Sequence, residues 1–438
     1  MTAPTAVLSV ASRDRSALDS GLRKARWRIL PLLSVCYLVA YMDRTNISFA
    51  AETMNRDLHF TAKMYGLGAG LFFLTYALCE IPSNAVMLRF GARRWLARIM
   101  LTWGLIAAAM MFVRLPVHFY GARLLLGCAE AGYFPGALYY LSQFFPQAVR
   151  ARAISLFYLS LPLSTLVMGG LAGALLGLNG RMGLAGWQWM FLLEAVPALA
   201  LAFAVWFGLP DSPASAKWLE VGEKQAIAAA LAEEQPAQGA GHEGLVRVLR
   251  TGRAWALGLA YFFELGTSYA LVFSLPIVLT QLTGWNASRV GYLVALSGVL
   301  GVGMMVGGAW LSDRSGRRRP FAVGGFLAMG TAALVAGAHL SGWPAVVALL
   351  AVTLAFYWMQ GPMLISMTTL LPGRTSAMVI AFTNTFGICG GFVGPYWMGW
   401  MREATGGYAW GLGFLCVPCF VAAGLMAWVL KAEVRVRG

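Results

Sequence analysis

Charge is what this chain has little of. Asp, Glu, Lys and Arg together make up 12% of its 438 residues, about half of what globular chains carry. With 59% of residues apolar and a mean hydropathy of +0.67, so thin a polar coat cannot cover a soluble core. A water-soluble fold is excluded. Acids are scarcer than bases, 18 against 33, giving a net charge of +15. Yet no Lys/Arg run lies on a polar segment with interleaved aromatics, so no nucleic-acid partner is expected. Histidine is rare: His59, His118, His242 and His339 all fall in loops or at the ends of apolar runs. All six cysteines lie inside apolar runs, where Cys behaves as a small hydrophobe, and the pair Cys416 and Cys419 has no further ligands nearby in sequence. No metal, no cofactor and no catalytic residue is therefore expected, and nothing resembles a nucleophile elbow or a nucleotide loop. No cleavable signal peptide is expected either, because residues 1–26 are polar and basic.

What the chain does have is long apolar runs. A helix needs about 20 apolar residues to cross roughly 30 Å of hydrocarbon. Twelve runs meet that need: 28–50, 65–88, 95–113, 118–144, 152–178, 188–209, 255–281, 289–311, 320–339, 344–371, 375–401 and 408–430. A polar stretch at 210–254, expected to be helical around Ser215 to Glu234, divides them six and six. The expected organisation is a tail at 1–26, a six-helix bundle at 27–209, the central loop at 210–254, a second bundle at 255–431 and a tail at 432–438. The fold class is all-α integral membrane, twelve transmembrane helices in two bundles around a central cavity. With the N-terminus in the cytoplasm, 25 Lys/Arg fall on the cytoplasmic side and six outside (Arg56, Lys63, Arg114, Arg181, Arg289, Arg402). That asymmetry puts both termini in the cytoplasm.

The halves repeat. Arg89-Phe90-Gly91-Ala92-Arg93-Arg94 follows the second run, and Arg314-Ser315-Gly316-Arg317-Arg318-Arg319 follows the eighth, 225 residues later. Six-span repeats about a polar linker mark carriers that rock two bundles around a central site. Trp310-Leu311-Ser312-Asp313-Arg314-Ser315-Gly316-Arg317-Arg318 resembles the inner-loop element of the major facilitator superfamily, with Ala309 at its usual first Gly. The resemblance implies a gating salt-bridge role for Asp313 and Arg314. The first-half copy has Leu88 where that element carries Asp, which weakens any latch there.

Seven acidic or basic residues lie at least five residues inside the ends of the apolar runs: Asp43, Arg44, Glu80, Arg123, Glu130, Glu194 and Glu264. Each costs at least about 2.5 kcal/mol to insert, so each is a functional candidate. At about 1.5 Å per residue, Asp43 and Arg123 both lie roughly 7 Å from the outer face and can pair if their helices are neighbours. Glu130 sits two turns below Arg123 on the same face, and Glu130 and Glu264 fall near the midplane. Glu80 and Glu194 lie nearer span ends; a structural, hydrogen-bonded role is expected for Glu80 and a structural one for Glu194 near the outer interface. Arg44 keeps its proton and offers a planar fork suited to a carboxylate. With His absent from mid-span, Asp43, Glu130 and Glu264 are the groups available to carry protons. A neutral Glu264 donating a hydrogen bond to substrate or to a neighbouring helix is the expected alternative at that position.

Tyr41-Met42-Asp43-Arg44-Thr45-Asn46, Glu80-Ile81-Pro82-Ser83-Asn84, the run from Arg123 through Glu130 to Gly136, and Asn384-Thr385-Phe386-Gly387 with its Gly-rich continuation to Pro395 are similar to the anion:cation symporter family of that superfamily. The resemblance covers the whole chain. Gly91-Ala92-Arg93-Arg94-Trp95 and Trp187-Gln188-Trp189 look most like its bacterial tartrate and phthalate types. It implies proton-coupled uptake of a small organic carboxylate, with Arg44 as anion anchor and Arg123 in a gating ion pair. Tyr41, Tyr76, Tyr269, Asn384 and Trp358 are candidate substrate contacts. Two departures, Gly266-Thr267-Ser268-Tyr269-Ala270 in the seventh run and Leu161-Pro162-Leu163 in the fifth, join Phe356, Tyr357 and Trp358 in favouring an apolar or aromatic substrate body. The implied partners are the carboxylate, protons and the lipid bilayer, with the carrier a monomer in the bacterial inner membrane. Anion antiport is the main rival, since it needs basic anchors but no protonatable midplane carboxylates. A channel or receptor on the same fold is the other.

Overall fold

A computed structural model describes residues 4–234, 248–339, 341–369 and 376–432. Pro236, Gly239, Gly241, His242 and Arg374 lie outside the described residues. Helices account for nearly everything described, and no strand occurs among these residues. Ten helical runs are long and apolar enough to cross a membrane. They supply spans 2 and 3 (Ala62–Phe90, Ala92–Phe112), 5 and 6 (Gln147–Leu176, Gly186–Gly208), 7 and 8 (Gly252–Thr283, Ala287–Ser315), 9 and 10 (Arg319–Ala338, Gly342–Met367), and 11 and 12 (Met378–Thr405, Ala409–Val429). Two further passages complete the expected twelve. Span 1 lies within the 55-residue helix Pro4–Leu58, and span 4 is the helix Pro116–Glu130 continued by Tyr133–Ser142. Span 1 departs from expectation only in length, because a polar, basic stretch of the same helix runs on beyond the expected 28–50.

Large apolar side chains such as Leu78, Phe112, Phe203, Phe207 and Trp410 point outward around the molecule. An apolar belt of that extent has no place in water and suits contact with lipid. The sequence repeat is also visible in the backbone. Gly91 (φ +86°) and Gly316 (φ +62°) end spans 2 and 8 in the positive-φ region, where glycine carries no Cβ penalty. Thr61 and Asn286 cap the starts of the same two spans, accepting from the backbone N–H of Met64 at 3.2 Å and of Arg289 at 3.0 Å.

The end of the bundle with the Arg89–Arg94 and Arg314–Arg319 turns is called here the basic end. It also holds the central helix Val221–Glu233, which packs on the span 1 helix and reaches the start of span 5. Lys24 Nζ lies 2.7 Å from Glu223 Oε1 and 3.2 Å from Glu220, Ser20 donates to Glu223 at 2.7 Å, and Arg150 meets Glu234 at 2.6 Å. Burial alone would push the Glu223 carboxyl up. Hydrogen bonds from Lys24, the Glu220 backbone N–H and Ser20 outweigh it and hold the group below its ordinary value.

The two sets of six spans meet along spans 2 and 11 and along spans 5 and 8. At the end opposite the basic one, these pairs approach backbone to backbone. A Cβ on Gly291 would come within 2.3 Å of the Gly169 carbonyl oxygen, and one on Gly399 within 2.3 Å of the Ala62 oxygen. Only glycine permits that approach. Tyr65 reinforces the contact by donating to the Phe273 carbonyl at 3.1 Å.

Candidate functional site: a buried guanidinium between the two halves

Halfway along the interface the packing opens into a cavity with an empty volume of about 480 Å³. Tyr41 and Arg44 reach it from span 1, Tyr76 from span 2, Tyr269 from span 7 and Asn384 from span 11. Arg44 dominates its chemistry. One Nη bonds Glu130 of span 4 in a buried ion pair, and the other donates to the Tyr269 hydroxyl at 3.1 Å. The guanidinium carbon lies 5.2 Å from each of the Tyr41, Phe72 and Tyr76 ring centroids, so aromatic faces hold the cation on three sides. The Tyr41 and Tyr269 hydroxyls are 3.0 Å apart, joining span 1 to span 7. Beyond that pair, away from the basic end, lies a second chamber of about 710 Å³ with no charged lining; Ser48, Leu275 and Val294 face it.

Toward the basic end the cavity continues into a chamber of about 850 Å³ that shares Asn384 and Gln360 with it. Glu80 of span 2 lines this chamber and crosses to the other half. It accepts from Asn384 Nδ2 at 2.7 Å and from the Thr385 hydroxyl at 3.4 Å. The expected hydrogen-bonded role of Glu80 is therefore present, but its partners belong to span 11 rather than to its own loop. Gln360 of span 10 was not anticipated. An amide within the run Phe356-Tyr357-Trp358-Met359-Gln360 was the available signal.

Glu264 is fully buried and stands one side chain behind the cavity. It accepts from Gln360 Nε2 at 2.7 Å, while its Oε2 has no partner. The bond does run to a neighbouring helix, but with Glu264 as acceptor where a donor was expected. Glu194 is buried as well, beside Asn46 of span 1 inside the first half.

Three other expectations need correction. Asp43 and Arg123 do not form an ion pair. Asp43 accepts from Trp103 Nε1 of span 3 and from Asn46 Nδ2 at 3.1 Å, while Arg123 reaches the Ala69 carbonyl at 3.5 Å and lies over the Phe72 ring at 4.8 Å. Successive helical residues point about 100° apart, so Arg44 facing the cavity sends Asp43 into the interior of the first half. Trp358 does not face the cavity; it stacks on Phe321 of span 9 at 5.8 Å, because the helical face that presents Phe356 and Gln360 turns Trp358 away. Asp313 and Arg314 form no ion pair among the described residues. Asp313 is exposed and offers its carbonyl to the Gly316 N–H, and Arg314 lies 5.2 Å from the Trp310 ring.

Comparison with known proteins agrees with this architecture. The chain matches the family model described as "Major Facilitator Superfamily" over residues 33–395 and 257–438. It is 40% identical over 402 residues to a protein of Agrobacterium vitis named "Putative tartrate transporter", covering 92% of this chain and 89% of that one. It is 36% identical over 408 residues to the "Quinolone resistance transporter" of Acinetobacter baumannii, covering 90% and 92%. Among solved structures, a bacterial homolog of the human lysosomal transporter Spinster, in an inward-facing and unoccupied conformation, superposes with a TM-score of 0.78. The pair share 18% identity over 94% of this chain and 98% of the other, a likeness of fold. Twelve spans, a repeat in each half and a polar cavity between the halves accompany the family match, and the chain belongs to the major facilitator superfamily.

Proposed function

We propose that the protein is a proton-coupled symporter that imports a small organic carboxylate by alternating access, within the anion:cation symporter family. The observation that carries the reading is the Arg44 guanidinium, buried between the halves and already holding a carboxylate, that of Glu130. A site that binds one carboxylate with charge-assisted bonds can exchange it for another. Substrate arriving at Arg44 displaces Glu130, and a buried carboxylate without its cation is costly until it takes a proton. Anion arrival and protonation are thereby joined. Asp43, next to Arg44 in the same helix turn, is the second proton site in this scheme. Tyr41, Tyr76, Tyr269 and Asn384 complete the substrate cavity. The name "Putative tartrate transporter" of the Agrobacterium vitis relative supports a carboxylate as the anion that this guanidinium-lined cavity takes. The basic end faces the cytoplasm of a bacterial inner membrane. The open chamber there and the close contact at the other end then describe an inward-open carrier.

An exporter is the second reading, favoured by the name of the Acinetobacter baumannii relative. Reconstituted protein separates the two. A symporter accumulates labelled tartrate or phthalate when protons are driven inward and loses that accumulation with a protonophore. Glu130→Gln should lose pH-driven accumulation while retaining counterflow exchange. Full accumulation by both Glu130→Gln and Asp43→Asn would overturn the coupling, and no uptake of any carboxylate by wild type would overturn the import reading.

A further inference from the structure

Arg44 and Asn384, donors from opposite halves, line one cavity of about 480 Å³. Neither waits empty. Glu130 holds Arg44, and Glu80 accepts from Asn384 at 2.7 Å and from the Thr385 hydroxyl at 3.4 Å. Both carboxylates come from the first half of the chain, one from span 4 and one from span 2. Buried donors of this kind are kept satisfied, and the group satisfying each set is a carboxylate.

We propose that Glu130 and Glu80 stand in for the two ends of a dicarboxylate substrate, and that Glu80 sets selectivity for dicarboxylates over monocarboxylates. The proposal rests on the organic-anion reading above and narrows it to a substrate with two carboxylates. One end of the substrate takes Arg44 from Glu130, and the other takes Asn384 and Thr385 from Glu80. No covalent bond changes; acceptor replaces acceptor. Room for the exchange exists, because Glu80 borders the chamber of about 850 Å³ that opens toward the basic end. A monocarboxylate can displace Glu130 alone, which leaves Glu80 in place on span 11. Glu80 is thus both competitor and repulsive neighbour for the second carboxylate, a selectivity device built partly on repulsion.

The test is the ratio of dissociation constants within matched pairs, phthalate against benzoate and tartrate against glycerate, measured calorimetrically on the purified full-length protein. Glu80→Gln replaces a charged acceptor by a weaker neutral one, so the ratio should move toward the dicarboxylate by about fivefold. Asn384→Ala removes the donor and should move the ratio toward the monocarboxylate. A Glu80 that only holds helices together would change both affinities alike and leave the ratio unmoved. An unmoved ratio in both variants, or a shift toward the monocarboxylate in Glu80→Gln, overturns the proposal while Arg44-dependent binding keeps the broader reading intact. Binding of no pair member by wild type overturns both. Should Glu80→Gln fail to fold, Glu80→Asp, which shortens the reach by one methylene, must shift the ratio in the same direction or the proposal falls.

Discussion

At one end of the interface between the halves backbone meets backbone; at the other, a carboxylate meets an amide across an open chamber. The first contact is made by glycines, Gly169 against Gly291 and Gly399 against Ala62, and leaves no room for a Cβ. The second is a pair of hydrogen bonds, Glu80 to Asn384 and Thr385, with space beside it. The two ends are therefore held by different physics. Close packing changes steeply with small displacements, whereas a polar bridge can be exchanged for another polar partner without loss of hydrogen bonds. One end is suited to closing, the other to receiving and releasing a ligand.

The largest effect should come from breaking the packed end. Gly291→Leu forces side-chain atoms into the Gly169 carbonyl, at a cost of about 1–3 kcal/mol or more to this conformation. Such a penalty shifts a two-state balance by about 5- to 150-fold. Uptake should be abolished with normal expression, and a cysteine introduced at Ser48, in the uncharged chamber, should become reactive toward an impermeant thiol reagent. Unchanged reactivity would show that this contact does not control access. Next in size, Arg44→Lys keeps the charge but loses the fork, and binding should weaken by about tenfold or more. Binding near wild-type strength by calorimetry would leave Arg44 a structural residue. A much smaller effect is expected from Glu264→Gln, since Glu264 sits behind Gln360 rather than on the cavity. Uptake should stay within about twofold, a neutral hydrogen bond substituting for another, and a displaced pH optimum would assign Glu264 to proton coupling. Smallest of all is the docking of the helix Val221–Glu233. Because Glu223 is held below its ordinary value of 4.5, its contribution is present above that pH and lost as the pH falls through the lowered value. Protease protection of this helix should therefore persist from pH 7 to 5 and decline only in stronger acid; a decline near neutrality would point to another group.

Much of this was legible in the sequence, and the limits have a physical origin. Apolar run length reports a membrane passage directly, so twelve passages and their division by the polar stretch could be read without a structure. Height along a span was readable too, for Asp43, Arg123, Glu130 and Glu264; Tyr41, Tyr76, Tyr269 and Asn384, named through the resemblance, border one cavity with Arg44. Direction around a span was not. Counting residues gives a depth but no neighbour, so Asp43 and Arg123, expected at one level, face different partners, and Trp358 turns away from the cavity that Phe356 lines. For the same reason the nearness of Glu80 to a loop and its hydrogen-bonded role were visible, and its partners across on span 11 were not.

The adjacency of Asp43 and Arg44 has one more consequence. Two neighbouring residues of a single rigid helix face different compartments, Asp43 the Trp103 and Asn46 side chains inside the first half, Arg44 the cavity between the halves. A rotation or tilt of span 1 cannot move one without moving the other. For the proposed proton and anion sites thermodynamic reciprocity then applies with no further machinery: by whatever factor a proton on Asp43 changes anion affinity at Arg44, an anion at Arg44 must change proton affinity at Asp43 by the same factor.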